Sequence, residues 1–166
     1  MSKNAILSLS LVAIIPIILV ALLALTGPDS PTPEGLTGES APTELLVRED
    51  SPRLSDGDEA VFVEFLDFEC ESCIALYPVI EDLRAEYGDQ VTFVVRHMPL
   101  HANSVNAALA AEAAAEQGQF EAMYQQLFET DEEWGHQPTS QKDTFFGYAA
   151  NLGLDMDRFR DQRKAD

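Results

Sequence analysis

An α/β fold is predicted by three features of the sequence: two apolar, β-branched runs, a helical pattern between them, and purely helical patterning afterwards. The first run, Val61-Phe62-Val63-Glu64-Phe65-Leu66, is nearly continuous, as expected of a strand buried on both faces. A helix follows from Cys70 to about Tyr87. Ile74, Tyr77 and Ile80 recur at helical spacing, Leu76 and Leu83 lie alongside, and Gly88 supplies the stop. Pro78 is expected to kink it. Val91 to Val95 forms the second strand. Two apolar strands joined by a helix of this length make a right-handed βαβ unit. Ahead of the unit, Leu45-Leu46-Val47 is expected to add an edge strand.

The rest reads as helices. Asn103 or Ser104 can cap an Ala-rich helix that stops at Gly118. A second helix carries Phe120, Met123, Tyr124, Leu127 and Phe128 along one face, the stripe of a core-facing helix. A third, from about Ser140 to Leu152, presents Phe145, Phe146, Ala149 and Leu152, and Gly153 ends it. Asp155 caps a last short helix with Met156 and Phe159. These Met and aromatic stripes are read as core packing, not as a cofactor box. Trp134 follows Asp131-Glu132-Glu133 in an expected loop.

The N-terminus has another character. Ala5 to Thr26 holds no charge, and as a helix it is about 33 Å long, enough to cross a hydrocarbon core. It is longer than the apolar core of a cleaved signal, and Ala24-Leu25-Thr26 is a poor cleavage site, so residues 1–26 are expected to be a retained transmembrane anchor. Lys3 precedes the span, acids begin at Asp29, and no basic residue follows until Arg48. The positive-inside rule then puts the N-terminus in the cytoplasm and the remainder outside. Residues 27–43, rich in Pro, Gly, Ser and acids, read as a disordered linker, and residues 44–166 as the folded domain. The whole chain of 166 residues has 29 acidic and 10 basic side chains, a net charge of −19. That balance excludes nucleic acid and an anionic membrane face as partners.

Only two cysteines are present, Cys70 and Cys73, too few for a disulfide-stapled scaffold. Both fall on the first turn of the predicted helix, side by side and close enough to form a disulfide. The leading sulfur faces unpaired N–H groups and the positive end of the helix dipole, which stabilise the thiolate needed for thiol–disulfide exchange. Cys70 would attack, and Cys73, one turn deeper, would resolve the mixed disulfide. Glu71 opposes this by favouring the protonated thiol. Two other uses of the pair compete. A static disulfide would close too small a loop to stabilise much. A metal site would recruit His97 and His101, at a separation far from zinc-finger spacing. Glu64, the one charge inside its apolar run, can relay the proton of Cys73 or be an ordinary solvated or locally paired strand residue.

Phe62 to Cys73, Pro78, and Val94-Val95-Arg96-His97-Met98-Pro99-Leu100 together resemble the thioredoxin superfamily, specifically its DsbA-like branch of membrane-anchored bacterial thiol-disulfide oxidoreductases. Asn106-Ala107-Ala108, Ala113-Ala114-Ala115 and Phe120 to Tyr124 are similar to that branch's helical insertion, so the likeness covers Asp58 to Phe159. The resemblance implies a thioredoxin-like βαβ unit with a DsbA-type helical insertion. Cys70 becomes the nucleophile and Cys73 its partner, and Glu64 matches a buried acid six residues before the first cysteine. No cofactor or metal is implied. Implied partners are substrate proteins with thiols or disulfides and a membrane redox-recycling protein. One part of the family pattern has no match. Its second half brings two more strands and a cis-proline loop that holds the substrate backbone. Pro78, Pro99 and Pro138 are the only prolines after Cys73, and none opens a late strand. The fold is therefore expected to be truncated after the helices, with an open edge on Val61–Leu66 and marginal stability. The competing function is a non-catalytic, membrane-tethered binding domain with a static or metal-bound cysteine pair.

Overall fold

The structure, a computed structural model, describes residues 43–162. The elements are α1 (Thr43–Leu46), β1 (Ala60–Leu66), α2 (Glu71–Tyr87), β2 (Val91–His97), α3 (Ser104–Ala115), α4 (Phe120–Glu129), α5 (Asp131–Trp134), α6 (Lys142–Asn151) and α7 (Met156–Gln162). The expected anchor over 1–26 and, apart from Thr43, the expected linker over 27–43 lie outside the described residues. Among the described residues no helix is long and apolar enough to cross a membrane.

β1 and β2 pair in parallel, from Ala60↔Val91 to Leu66↔His97, and α2 is the crossover that parallel pairing demands. β2 runs two residues beyond the predicted Val95, because pairing continues to the end of β1. Its far edge is covered by the segment around Arg53. Leu54 donates its N–H to the Phe93 carbonyl at 2.9 Å, and Val95 donates to the Pro52 carbonyl at 3.0 Å. That segment, through an antiparallel Arg53↔Val94 bridge, takes the place expected for Leu45-Leu46-Val47. Leu45 and Leu46 instead belong to α1. Leu and Glu favour a helical turn, and the Arg96 guanidinium donates to the Leu46 carbonyl at 2.7 Å, satisfying its open C-terminal end.

The burial of β1 differs from expectation. β2 is buried from Thr92 to Val95, but on β1 only Leu66 is buried, while Val61 and Phe65 are 49% and 47% exposed. The apolar run is the same in character in both strands. The difference is that, among the described residues, β1 has a paired neighbour on one edge only.

The core lies where the helices meet the sheet. α3 turns Ala107, Ala110, Ala111, Ala113 and Ala114 inward, small enough for other helices to approach closely. α4 buries Phe120, Met123, Tyr124, Leu127 and Phe128, the stripe its period predicts. α6 contributes Phe145, Tyr148 and Ala149. Asp155 caps α7 as expected, its Oδ1 accepting N–H bonds from Asp157 and Arg158 at 3.0 Å each. Trp134 departs from expectation. It sits in the short α5, fully buried, with Nε1 donating to the Leu127 carbonyl at 3.0 Å and its ring edge-on to Phe145. A buried indole needs such an acceptor, and the three acids before it start the turn that delivers it.

Candidate redox site

β1 ends at Leu66, and Asp67-Phe68-Glu69 forms a fully buried turn before the cysteines. Phe68 is wedged between Phe128, at a centroid distance of 5.0 Å, and Tyr124, at 5.9 Å. Tyr77 of α2 stacks on Phe128 at 4.8 Å. α4 thus supports from below both the turn and the helix that carry the two cysteines.

Cys70 is the N-cap residue of α2, with extended backbone (φ −84°, ψ 122°), and Cys73 lies in the first turn. Both are free thiols, half-buried. The Cys73 amide N–H, pointing at the Cys70 sulfur, holds the Cys70 thiol below the usual range; the Ser72 amide and the Cys73 thiol add to this, while desolvation and the Asp67 carboxylate oppose it. Cys73 moves the other way. Burial pushes its thiol up, and the charges of Cys70 and Glu64 push in the same direction. The two displacements favour the same form of the pair, with the negative charge on Cys70 and the proton on Cys73.

Glu64 is half-buried on β1, opposite Val95. Burial, with the nearby Glu81 adding to it, pushes its carboxyl up to about 7. It acts electrostatically on Cys73, so all three predicted site residues share one environment.

His97 and His101 do not converge with the cysteines on one point. His97 Nε2 lies 2.9 Å from Glu112 Oε1, and its ring packs on Phe68 and Phe120. His101 Nδ1 lies 2.7 Å from Asp67 Oδ2. Among the described residues no group of three His, Cys, Asp or Glu side chains is arranged to hold a metal.

Sequence reading missed Asp67, Glu69 and His136. Asp67 also accepts N–H bonds from Glu69 at 2.9 Å and Leu100 at 2.8 Å. Glu69 accepts from the Asn103 N–H at 2.8 Å, the Ser104 hydroxyl at 3.3 Å and the His136 N–H at 2.7 Å. The signal that was available is the pair of acids bracketing an aromatic next to a cysteine pair. Their donors come from as far as 67 residues away, so the sequence shows no pairing.

A family model described as thioredoxin matches residues 57–165. The chain belongs to the thioredoxin superfamily. Among solved structures, it shares its fold with thiol-disulfide oxidoreductases, DsbA-like proteins included. The chain is similar to a thioredoxin-like oxidoreductase from Silicibacter pomeroyi, 27% identical, with a TM-score of 0.62 over 75% of this chain and 70% of that one. It shares its fold with the thiol-disulfide exchange protein α-DsbA2 from Wolbachia pipientis, at 22% identity and a TM-score of 0.59 over 72% and 62% of the two chains. A curated relative, the Na(+)/H(+) antiporter NhaA of Herminiimonas arsenicoxydans, is 41% identical over 101 residues. That match takes in 61% of this chain, in its thioredoxin-like part, but the chain spans only 15% of the antiporter's length. Among the described residues no strand follows α3. Pro99 lies after β2, Pro138 before α6, and all described peptide bonds are trans.

Proposed function

We propose that the protein is an extracytoplasmic thiol-disulfide oxidoreductase, tethered by residues 1–26 as a single-pass anchor, that oxidises cysteines of secreted proteins through Cys70 and Cys73. The observation that carries this reading is the placement of the two free thiols on one helical turn, Cys70 at the N-cap of α2 and Cys73 within its first turn, which displaces them in opposite directions. In the oxidised form a substrate thiolate attacks the Cys70 sulfur. The Cys70–Cys73 bond breaks, and Cys73 leaves as a thiolate that takes up a proton. A second substrate thiolate then attacks its own sulfur in the mixed disulfide, releasing Cys70 as a thiolate. The substrate loses two electrons and gains a disulfide, and the protein gains those two electrons. Donors that stabilise the Cys70 thiolate stabilise the reduced form, which supports the oxidising direction. Glu64, with a carboxyl near neutrality, is suited to hand a proton to and from Cys73. Return to the disulfide calls for a membrane redox-recycling partner.

A second reading, a tethered binding domain without exchange activity, draws on the half-exposed Val61 and Phe65 of β1, whose outer edge has no strand partner among the described residues. Incubating the oxidised protein with a reduced, unfolded protein and counting free thiols separates the two. The expected outcome is substrate thiol loss, with Cys73→Ala accumulating mixed disulfides through Cys70 and Cys70→Ala trapping nothing. Unchanged thiol counts, or equal trapping by both variants, would reject the oxidoreductase. Orientation is read by adding a membrane-impermeant protease to spheroplasts, which should remove the domain and leave a small membrane stub.

A further inference from the structure

Asp67 and Glu69 are 3% and 1% exposed, so the turn leading into Cys70 carries two buried acids. Buried carboxylates are costly unless donors reach their oxygens. Here the donors arrive on two separate segments, and each brings a histidine. Asp67 holds the His101 ring directly, Nδ1 to Oδ2 at 2.7 Å, and anchors the preceding Leu100 N–H. Glu69 holds the backbone N–H of His136 at 2.7 Å. His136 has φ 55°, in the left-handed region that strains a residue other than glycine. In that conformation its ring stands edge-on to His101, centroids 5.7 Å apart, and its Nε2 lies 3.5 Å from Glu71 Oε1. Asp67, Glu69, Glu71, His101 and His136 thus form one cluster beside Cys70.

We propose that His101, held by Asp67 and flanked by His136, is a positioning residue for the Cys70 thiolate: its protonated ring offsets the Asp67 charge that would otherwise disfavour the reactive sulfur. The inference rests on Cys70 being the reactive thiol. The electrostatics of the cluster run the same way as its geometry. The Asp67 carboxylate disfavours the Cys70 thiolate, and the Cys70 charge in turn favours a protonated His101. Coupling between two sites is reciprocal, so protonated His101 favours the Cys70 thiolate by the same amount. The Asp67 hydrogen bond pushes the His101 ring above its ordinary range, keeping it charged nearer neutral pH. Of the groups around His101, Asp67, Glu69 and the Cys70 thiolate favour its cation. His136 faces the ring edge-on, with centroids 5.7 Å apart, and Glu71 Oε1 lies 3.5 Å from the His136 Nε2.

The signature is a coupled titration. While His101 is protonated, Cys70 faces a neutral ion pair. Once His101 loses its proton, Cys70 faces a bare carboxylate, and its deprotonation is spread over two macroscopic steps. The test follows Cys70 alkylation against pH in the reduced full-length protein and in His101→Asn. The asparagine amide can still donate to Asp67 but carries no charge. The expected result is a single-step curve whose midpoint lies higher by about half to one pH unit, roughly a three- to tenfold smaller thiolate fraction at acidic pH. A curve unchanged in midpoint and shape would overturn the proposal. Should His101→Asn fail to fold, the His101 ring is titrated by NMR in the wild-type protein, reduced and disulfide-bonded. A higher midpoint in the reduced form is expected, and identical midpoints would overturn the proposal. Neither measurement uses a substrate protein, so a failure of disulfide exchange leaves this result readable on its own.

Discussion

Cys70 and Cys73 carry the same side chain three residues apart, and their difference comes from the backbone. The N-cap position hands the Cys70 sulfur the free amides of the first turn, while one turn further Cys73 meets burial and neighbouring negative charge. Glu64 shows the cost of building such an environment. Its carboxyl is raised from 4.5 to about 7, so the folded state holds this proton more tightly than the unfolded chain does. For a raised carboxyl the favourable contribution is present below about 4.5 and is lost as pH rises through about 7. Glu64→Gln keeps the shape and removes the titration. Urea unfolding at mildly acidic and mildly alkaline pH should then show the variant gaining on the wild type at the higher pH, by on the order of 1–2 kcal/mol once solvent screening of a part-exposed group is allowed for. An equal difference at both pH values would place Glu64 in an ordinary, solvated environment.

The helices show what the order of residues discloses and what it hides. The α4 stripe was legible because five large side chains at a period near 3.6 admit one arrangement, with that face inward. Both strands of the βαβ unit and the cysteine pair between them were legible for the same reason: each signal is local. Trp134 was not, since a four-residue turn has no period to detect and its acceptor on Leu127 belongs to another helix. The exposure of β1 was hidden because an apolar run records what a strand can bury, not whether a neighbour arrives to cover it. Asp67 and Glu69 look like ordinary loop charges until their donors are seen. The hidden Trp134 gives a test at this scale. Its indole fills the space between α4 and α6 against Phe145, at 5.0 Å between centroids. Trp134→Ala leaves a large cavity and an orphaned Leu127 carbonyl, and is expected to destabilise by about 3–5 kcal/mol in denaturant unfolding. A loss under about 1 kcal/mol would mean that α5 is not part of the cooperative core.

At the scale of the whole molecule, two features act against each other. A net charge of −19 keeps copies of the chain apart. The edge of β1 that has no strand partner among the described residues, with Val61 and Phe65 about half exposed, favours bringing them together, because open N–H and C=O groups beside apolar side chains are a template for a further strand. Replacing Val61 with lysine distinguishes the two forces by the sign of its effect. The substitution changes the net charge from −19 to −18, so if repulsion governed solubility, Val61→Lys would associate slightly more than the wild type. If the strand edge governs, a charged side chain there blocks edge-to-edge pairing and association falls. The second outcome is expected: lower light scattering at equal protein concentration, with the rate of Cys70 alkylation unchanged because Val61 lies near the end of β1 remote from the cysteines. Increased scattering would mean that charge controls the association of this chain and that the edge of β1 is protected by some other part of it.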